Sequence, residues 1–210
     1  MIRCTGLTFS YPGQPAFGFP DLHCGPNEQL LILGPSGAGK TTLLHLLAGL
    51  LVPTSGEIHI GITAMHTLRG HALDRFRGQK IGIVFQKSHF LRSLTALENL
   101  LLTQHLSGLR SDPTVALALM KRLSIEHRAH SKTYSMSIGE QQRLAIARSL
   151  VNHPTLILAD EPSSALDDSN CHKMIQLLLD VAAENHAALM VVTHDNRIKD
   201  LISNHIILQS

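Results

Sequence analysis

The chain reads as a single α/β domain: a mostly parallel core sheet, an N-terminal antiparallel β subdomain and an inserted helical lobe. Three observations lead there. The glycine-rich stretch Gly34-Pro35-Ser36-Gly37-Ala38-Gly39-Lys40-Thr41 sits between an apolar run and a helical one. Short apolar runs of strand length alternate with helical stretches on either side of it, the pattern of parallel strands covered on both faces. Residues 93–133 break that pattern, with Leu94, Leu97, Leu100 and Leu101 at helical spacing and no strand-like run.

Each element follows from its local pattern. Residues 2–9 mix β-branched and aromatic side chains with polar ones, as a strand with one wet face does. Tyr11-Pro12-Gly13-Gln14-Pro15 is a turn, and residues 17–24 alternate loosely as a second strand of the same sheet. Leu30-Leu31-Ile32-Leu33 is a buried parallel strand, and Thr42 to Gly49 a helix packed on it. Residues 57–62 alternate as a strand, 64–77 hold a short helix, and Ile81-Gly82-Ile83-Val84-Phe85 is a buried strand ending at Gln86. The lobe spans about 88–136 and runs on into a helix reaching about residue 150, with Ser111-Asp112-Pro113 starting one of its helices. Strands return at Leu156-Ile157-Leu158-Ala159 and Leu189-Met190-Val191-Val192, flanked by helices over 139–150 and 168–183.

Composition narrows the function classes. A chain of 210 residues, 44% apolar, is expected to be one domain over its whole length, 1–210. A net charge of +2 gives no strong basic field, so no nucleic-acid partner is expected. Cys4, Cys24 and Cys171 have neither metal spacing nor a disulfide framework, which suits a reducing compartment. No run approaches the roughly 18–20 apolar residues of a membrane span, and the N-terminal residues lack the apolar core of a signal peptide. A membrane role would be peripheral, through a partner. The fourteen histidines are mostly isolated and show no metal-site spacing, so they read as surface or packing residues.

The glycine-rich stretch fits G-x-x-x-x-G-K-[ST], a phosphate-binding loop. Gly34, Gly37 and Gly39 leave room for backbone N–H groups to close on a polyanion. The helix behind adds its N-terminal N–H groups and positive dipole end. Lys40 is expected on the β and γ phosphates and Thr41 on Mg²⁺. Asp160-Glu161 follows a buried strand. Asp160 is placed to reach the metal, directly or through water, and Glu161 to activate an attacking water. His194 and Gln86 also end apolar strands, the first a candidate for the γ phosphate and the second for a water or Mg²⁺ ligand.

With these features in order, the chain resembles the ATP-binding cassette ATPases of the P-loop NTPase class over nearly its whole length. Ser137-Ile138-Gly139-Glu140-Gln141-Gln142-Arg143 is similar to the family signature, and Ser163-Ser164-Ala165-Leu166-Asp167 to the loop after the catalytic glutamate. The resemblance implies ATP and Mg²⁺ as ligands and assigns Glu161, His194, Gln86 and Lys40 to catalysis. It assigns Tyr11 to adenine stacking, with Phe9 a weaker substitute, and Pro35, Ser36, Ala38 and Thr42 with the rest of the loop to the nucleotide. Thr41, Gln86 and Asp160 fall to the metal. ATP would lie between two copies, facing Ser137 and Gly139 of the second, with Asp167 beside the nucleotide. The implied partners are a second cassette, a homodimer being expected, and an integral membrane permease. The implied place is the cytoplasmic face of a bacterial cell membrane.

Leu43 to Leu50, Thr95-Ala96-Leu97-Glu98-Asn99-Leu100 and Leu158-Ala159-Asp160-Glu161-Pro162 resemble the lipoprotein-releasing and macrolide-efflux cassettes, which implies force transmission to an export system. Amino-acid importers and cell-division cassettes that recruit a membrane partner share much of the pattern. The segment 86–94, with Phe90 and Leu91, is the expected coupling surface. Three departures stand out. Ile138 replaces the first signature glycine. It lacks glycine's backbone freedom and adds bulk near an interface, which predicts weaker closure or slower turnover, the alternative being that it packs harmlessly away from the nucleotide. Gly61-Ile62-Thr63 replaces an Asp-Gly turn, and the final hairpin reads as truncated.

Overall fold

A computed structural model describes residues 2–163 and 166–209. Of the loop quoted above, Ser164 and Ala165 lie outside the described residues. The elements in chain order are β1 (Ile2–Phe9), β2 (Phe17–Gly18), β3 (Leu22–Cys24), β4 (Gln29–Leu33), α1 (Lys40–Leu47), β5 (Ser55–Ile60), β6 (Thr63–Ala64), α2 (Gly70–Lys80) and β7 (Ile81–Val84). Then come α3 (Ala96–Leu106), α4 (Pro113–Arg122), α5 (Ile138–Leu150), β8 (Leu156–Asp160), α6 (Asp168–Glu184), β9 (Ala188–Thr193) and β10 (His205–Ile207).

Two sheets carry the fold, as the reading of fold class anticipates. β1, β2, β3, β5 and β6 form an antiparallel sheet, with a register shift between Thr5 and Thr8 where β1 pairs β5. The other sheet is wholly parallel, in the order β10-β4-β9-β8-β7. Its three central strands, β4, β9 and β8, are buried on both faces because each sends alternate side chains into two different cores. Leu31, Leu33, Ile157, Ala159, Leu189 and Val191 pack with α3, α4, α5 and α6. Leu30, Ile32, Leu156, Leu158, Met190 and Val192 pack with α1 and the antiparallel sheet. Period-two alternation is therefore present, but both faces are apolar, so it shows in the sequence only as an unbroken run.

One strand and one helix differ most from expectation. The stretch 17–24 is split into β2 and β3, because Phe19 and Pro20 intervene and proline cannot donate to a ladder. The helix expected over 64–77 begins at Gly70, after β6 and a 3₁₀ turn over Met65–Thr67, and runs on to Lys80. In the lobe stretch, α3 starts on a capping box between Thr95 and Glu98, and α4 on Asp112, which accepts from Thr114 and Val115 ahead of Pro113. Phe90 is half-buried against the larger core with the Arg148 guanidinium 4.9 Å from its ring centre, whereas Leu91 is exposed.

Because all five core strands are parallel, their C-terminal ends share one edge. That edge carries the loop after β4, the residues after β8 and β9, and Gln86 beyond β7. Ligand crevices in open parallel sheets lie outside this edge.

Candidate active site

The loop begins where β4 ends and becomes α1 at Lys40. Gly37 (φ 88°) and Gly39 (φ 81°) hold left-handed backbone that a β-branched side chain would strain, and Gly39 is the N-cap. A Cβ on Gly39 would also press on Phe17 and Phe19 at 3.2 and 3.3 Å. No side chain caps α1, so its first N–H groups are left to the loop.

Lys40 is buried, yet its ammonium is not unpaired. Nζ donates to the carbonyls of Gly34 (2.8 Å) and Pro35 (2.9 Å) and lies 3.9 Å from Glu161 Oε1. Thr41 Oγ1 donates to Asp160 Oδ1 at 3.4 Å. Burial pushes the Asp160 carboxyl above its usual range, and the neighbouring Glu161 charge adds to the rise against the lowering hydrogen bond from Thr41.

Glu161 has positive φ (48°) and its carboxylate is fixed at both oxygens. Thr193 Oγ1 donates to Oε2 at 2.8 Å and the His194 ring to Oε1 at 2.8 Å. Thr193 is fully buried at the end of β9 while His194 is more than half exposed. Thr193 was not among the residues singled out from sequence. A hydroxyl closing an apolar strand, one residue before His194, was its only signal.

Ser36, Gly37, Gly39, Lys40, Thr41, Thr42, Gln86, Glu161 and His194 line one open cleft of about 370 Å³. Asp160 borders it through Thr41. A second cleft of about 570 Å³ shares Gly37, Gly39 and Thr42 with the first and adds Tyr11, Gln14, Phe17 and Ala38. Tyr11 is partly exposed, shares a 2.9 Å hydrogen bond with Thr42 Oγ1 and meets Phe9 edge-to-face at 4.8 Å. Phe9 itself is buried, which leaves Tyr11 as the accessible ring of the pair.

The remaining predicted residues lie elsewhere on the chain. Ser137 caps α5, accepting from Glu140 N at 3.3 Å while its own N–H donates to Glu140 Oε2 at 2.7 Å. Arg128 donates to Glu140 Oε1 at 2.8 Å and, with the Ser137 N–H, holds that carboxyl down at about 2. Gly139 and Asp167 line a separate hollow of about 360 Å³ with Ile138, Gln142 and Arg143. Asp167 caps α6, accepting from Asn170 N at 2.9 Å. Ile138 is the first residue of α5, has no positive φ, and is 71% exposed. The backbone freedom of glycine is thus not used at this position, which corrects half of the expected penalty. The bulk of an exposed isoleucine remains.

A network behind the cleft also escaped the sequence reading. Arg197 donates to both oxygens of Asp195 and to Asp168, and Ser163 Oγ donates to Asp195 Oδ2 at 3.2 Å. The Arg197 hydrogen bonds hold the Asp195 carboxyl down at about 2. Cys4 and Cys24 are buried, and burial pushes each thiol up to about 11. No helix among the described residues is long and apolar enough to cross a membrane.

Comparison with known proteins finds relatives over most of the chain. Residues 20–164 match the family model described as ABC transporter. The lipoprotein-releasing system ATP-binding protein LolD of Xanthomonas euvesicatoria pv. vesicatoria is 41% identical over 203 residues, which cover 93% of this chain and 82% of that one. LolD of Xanthomonas campestris pv. campestris is 40% identical over 185 residues, 86% of this chain and 77% of that one. Among solved structures, the dimeric form of MJ0796, a bacterial ABC transporter cassette, has a TM-score of 0.88 and 35% identity, covering 100% of this chain and 94% of that one. A post-hydrolysis dimer of the same cassette bound to ADP and Pi has a TM-score of 0.87, again at 35% identity, covering 99% of this chain and 94% of that one.

Proposed function

This chain belongs to the ABC transporter family as an ATP-hydrolysing nucleotide-binding subunit, and we propose that two copies close head to tail over ATP to drive a lipoprotein-releasing membrane partner. The observation that supports the two-copy form is a separation. Lys40, Thr41, Gln86, Glu161 and His194 share one cleft, whereas Gly139 and Asp167 line another on the same chain. One chain therefore offers two halves that do not meet within it. A second copy, turned about, brings the N-terminus of its α5 and its Ser137 hydroxyl to the first copy's phosphates.

Within that pair, Tyr11 takes the adenine ring, and the loop N–H groups take the phosphates. Lys40 exchanges the Gly34 and Pro35 carbonyls for β and γ oxygens. The hard oxygens of Thr41 and Asp160, 3.4 Å apart at the cleft edge, fit a magnesium ion, which would neutralise phosphate charge. Glu161 receives the proton of the attacking water. Thr193 keeps its carboxylate aimed, while the His194 ring, which holds the other oxygen in the single chain, turns toward the γ phosphate. The bond from the γ phosphorus to the bridging oxygen breaks, giving ADP and phosphate.

Lipoprotein release, rather than import or cell-wall control, rests on the two LolD relatives at 40–41% identity. A groove of about 680 Å³ between α2, β7 and the lobe, lined by Phe85, His89, Leu106 and Arg148, supports docking of the membrane partner. The chain then works at the cytoplasmic face of the inner membrane without spanning it.

Glu161→Gln tests the two-copy form, by light scattering with and without Mg-ATP. Dimer in Mg-ATP and monomer without it is the expected result. ATP bound by a protein that stays monomeric would overturn head-to-tail closure of two identical copies.

A further inference from the structure

We propose that Glu57, His59 and His66 bind one zinc-class divalent ion on the solvent face of the antiparallel sheet. The site is independent of the nucleotide cleft.

Glu57 and His59 are two residues apart on β5 and so share a face. Their neighbours Ile58 and Ile60 point into the core. After the turn at Gly61 and Ile62 the chain returns along β5, with His59 opposite Ala64. Two residues later, on the 3₁₀ turn, His66 comes alongside. The Glu57 Oε2 to His59 Nε2 distance is 3.0 Å, and the His59 and His66 ring centres are 5.9 Å apart. One ligand atom from each of the three lies within 4.8 Å of the others. Ligands of a tetrahedral zinc at about 2.0 Å sit roughly 3.3 Å from one another, so small side-chain rotations close the set.

The backbone at His66 is already fixed. Met65 is buried in the core before it, Thr67 Oγ1 donates to Ala64 O at 2.7 Å, and Arg69 donates to the His66 carbonyl at 2.6 Å. Two imidazoles and a carboxylate suit zinc better than the oxygen-seeking magnesium or calcium. Three protein ligands leave the fourth position to water. Arg3 of β1 lies opposite His59, and its positive charge works against a bound cation. The histidine signal was invisible in the sequence because the partners come from a strand and a turn, without a repeat spacing.

Calorimetric titration of the full chain with zinc chloride, in excess magnesium, tests the site. One tight site per chain is expected. His66→Ala and His59→Ala each weaken it by more than the roughly 10–100-fold that outer-shell changes cost, and Arg3→Gln tightens it. His153→Ala, whose ring meets Asn185 and none of the three proposed ligands, leaves it unchanged. Basal ATPase activity and the zinc-free melting temperature stay the same in His66→Ala. Equal zinc affinity in His66→Ala and the unaltered protein would overturn the proposal, as would weak multi-site binding reduced as much by His153→Ala.

Discussion

At the scale of single residues, the site depends on how a carboxylate is held. Glu161 sits in left-handed backbone with one oxygen on Thr193 and the other on His194. Non-glycine residues adopt that region rarely, and such conformations gather where a side chain must be aimed. Thr193 is fully buried, so Thr193→Val removes the donor with little change of shape. The expected outcome is turnover about tenfold lower, with ATP affinity within about twofold of the original, read from steady-state ATPase assays beside nucleotide titration. A structural role alone would move both or neither.

At the scale of elements, two helix starts and one short loop connect the nucleotide edge to the rest of the chain. Arg197 ties Asp195, beyond β9, to Asp168 at the start of α6. The Asp195 carboxyl is held at about 2, below the roughly 3.9 of an unfolded chain. The stabilisation is therefore fully present above about pH 4 and is lost as the pH falls toward 2. Arg197→Ala should lower stability at neutral pH and shrink the loss on acidification, both measurable by urea unfolding across pH 2–7. At the start of α5, Ile138→Gly should lower melting only slightly, because that side chain is exposed and glycine's helix cost is smallest at the first helical position. ATP-driven dimer formation should strengthen, as light scattering on the Glu161→Gln background would show. No change would mean that Ile138 packs harmlessly beside the nucleotide.

At the scale of the whole molecule, what the sequence disclosed and what it hid divide along locality. The loop from Gly34 to Thr41 carries its geometry in adjacent residues, and it stands between β4 and α1 as read. The buried strands were legible because both of their faces are apolar. Asp160, Glu161, His194 and Gln86 were legible as polar residues ending such strands, and parallel pairing brings those ends to one edge. The break at Pro20 was legible in principle, since proline interrupts a ladder. Thr193, the Arg197 network and the Glu57, His59 and His66 cluster were not, because each joins residues that only the tertiary fold brings together. The burial of Phe90 was hidden for the same reason: an aromatic in a turn reads alike whether Arg148 covers it or solvent does.

The separation of the phosphate-loop cleft from the Gly139 hollow has a genetic consequence. In the proposed head-to-tail pair, each chain contributes one half to each of two composite sites. A copy with a ruined phosphate loop still carries a sound α5 start, and a copy with a ruined α5 start still carries a sound loop. Either defect alone silences both sites of a pair. When the two defective copies meet, they rebuild one intact site and concentrate both lesions in the other. Alleles inactive in isolation would thus rescue each other when expressed together, whereas two lesions within the same half would not.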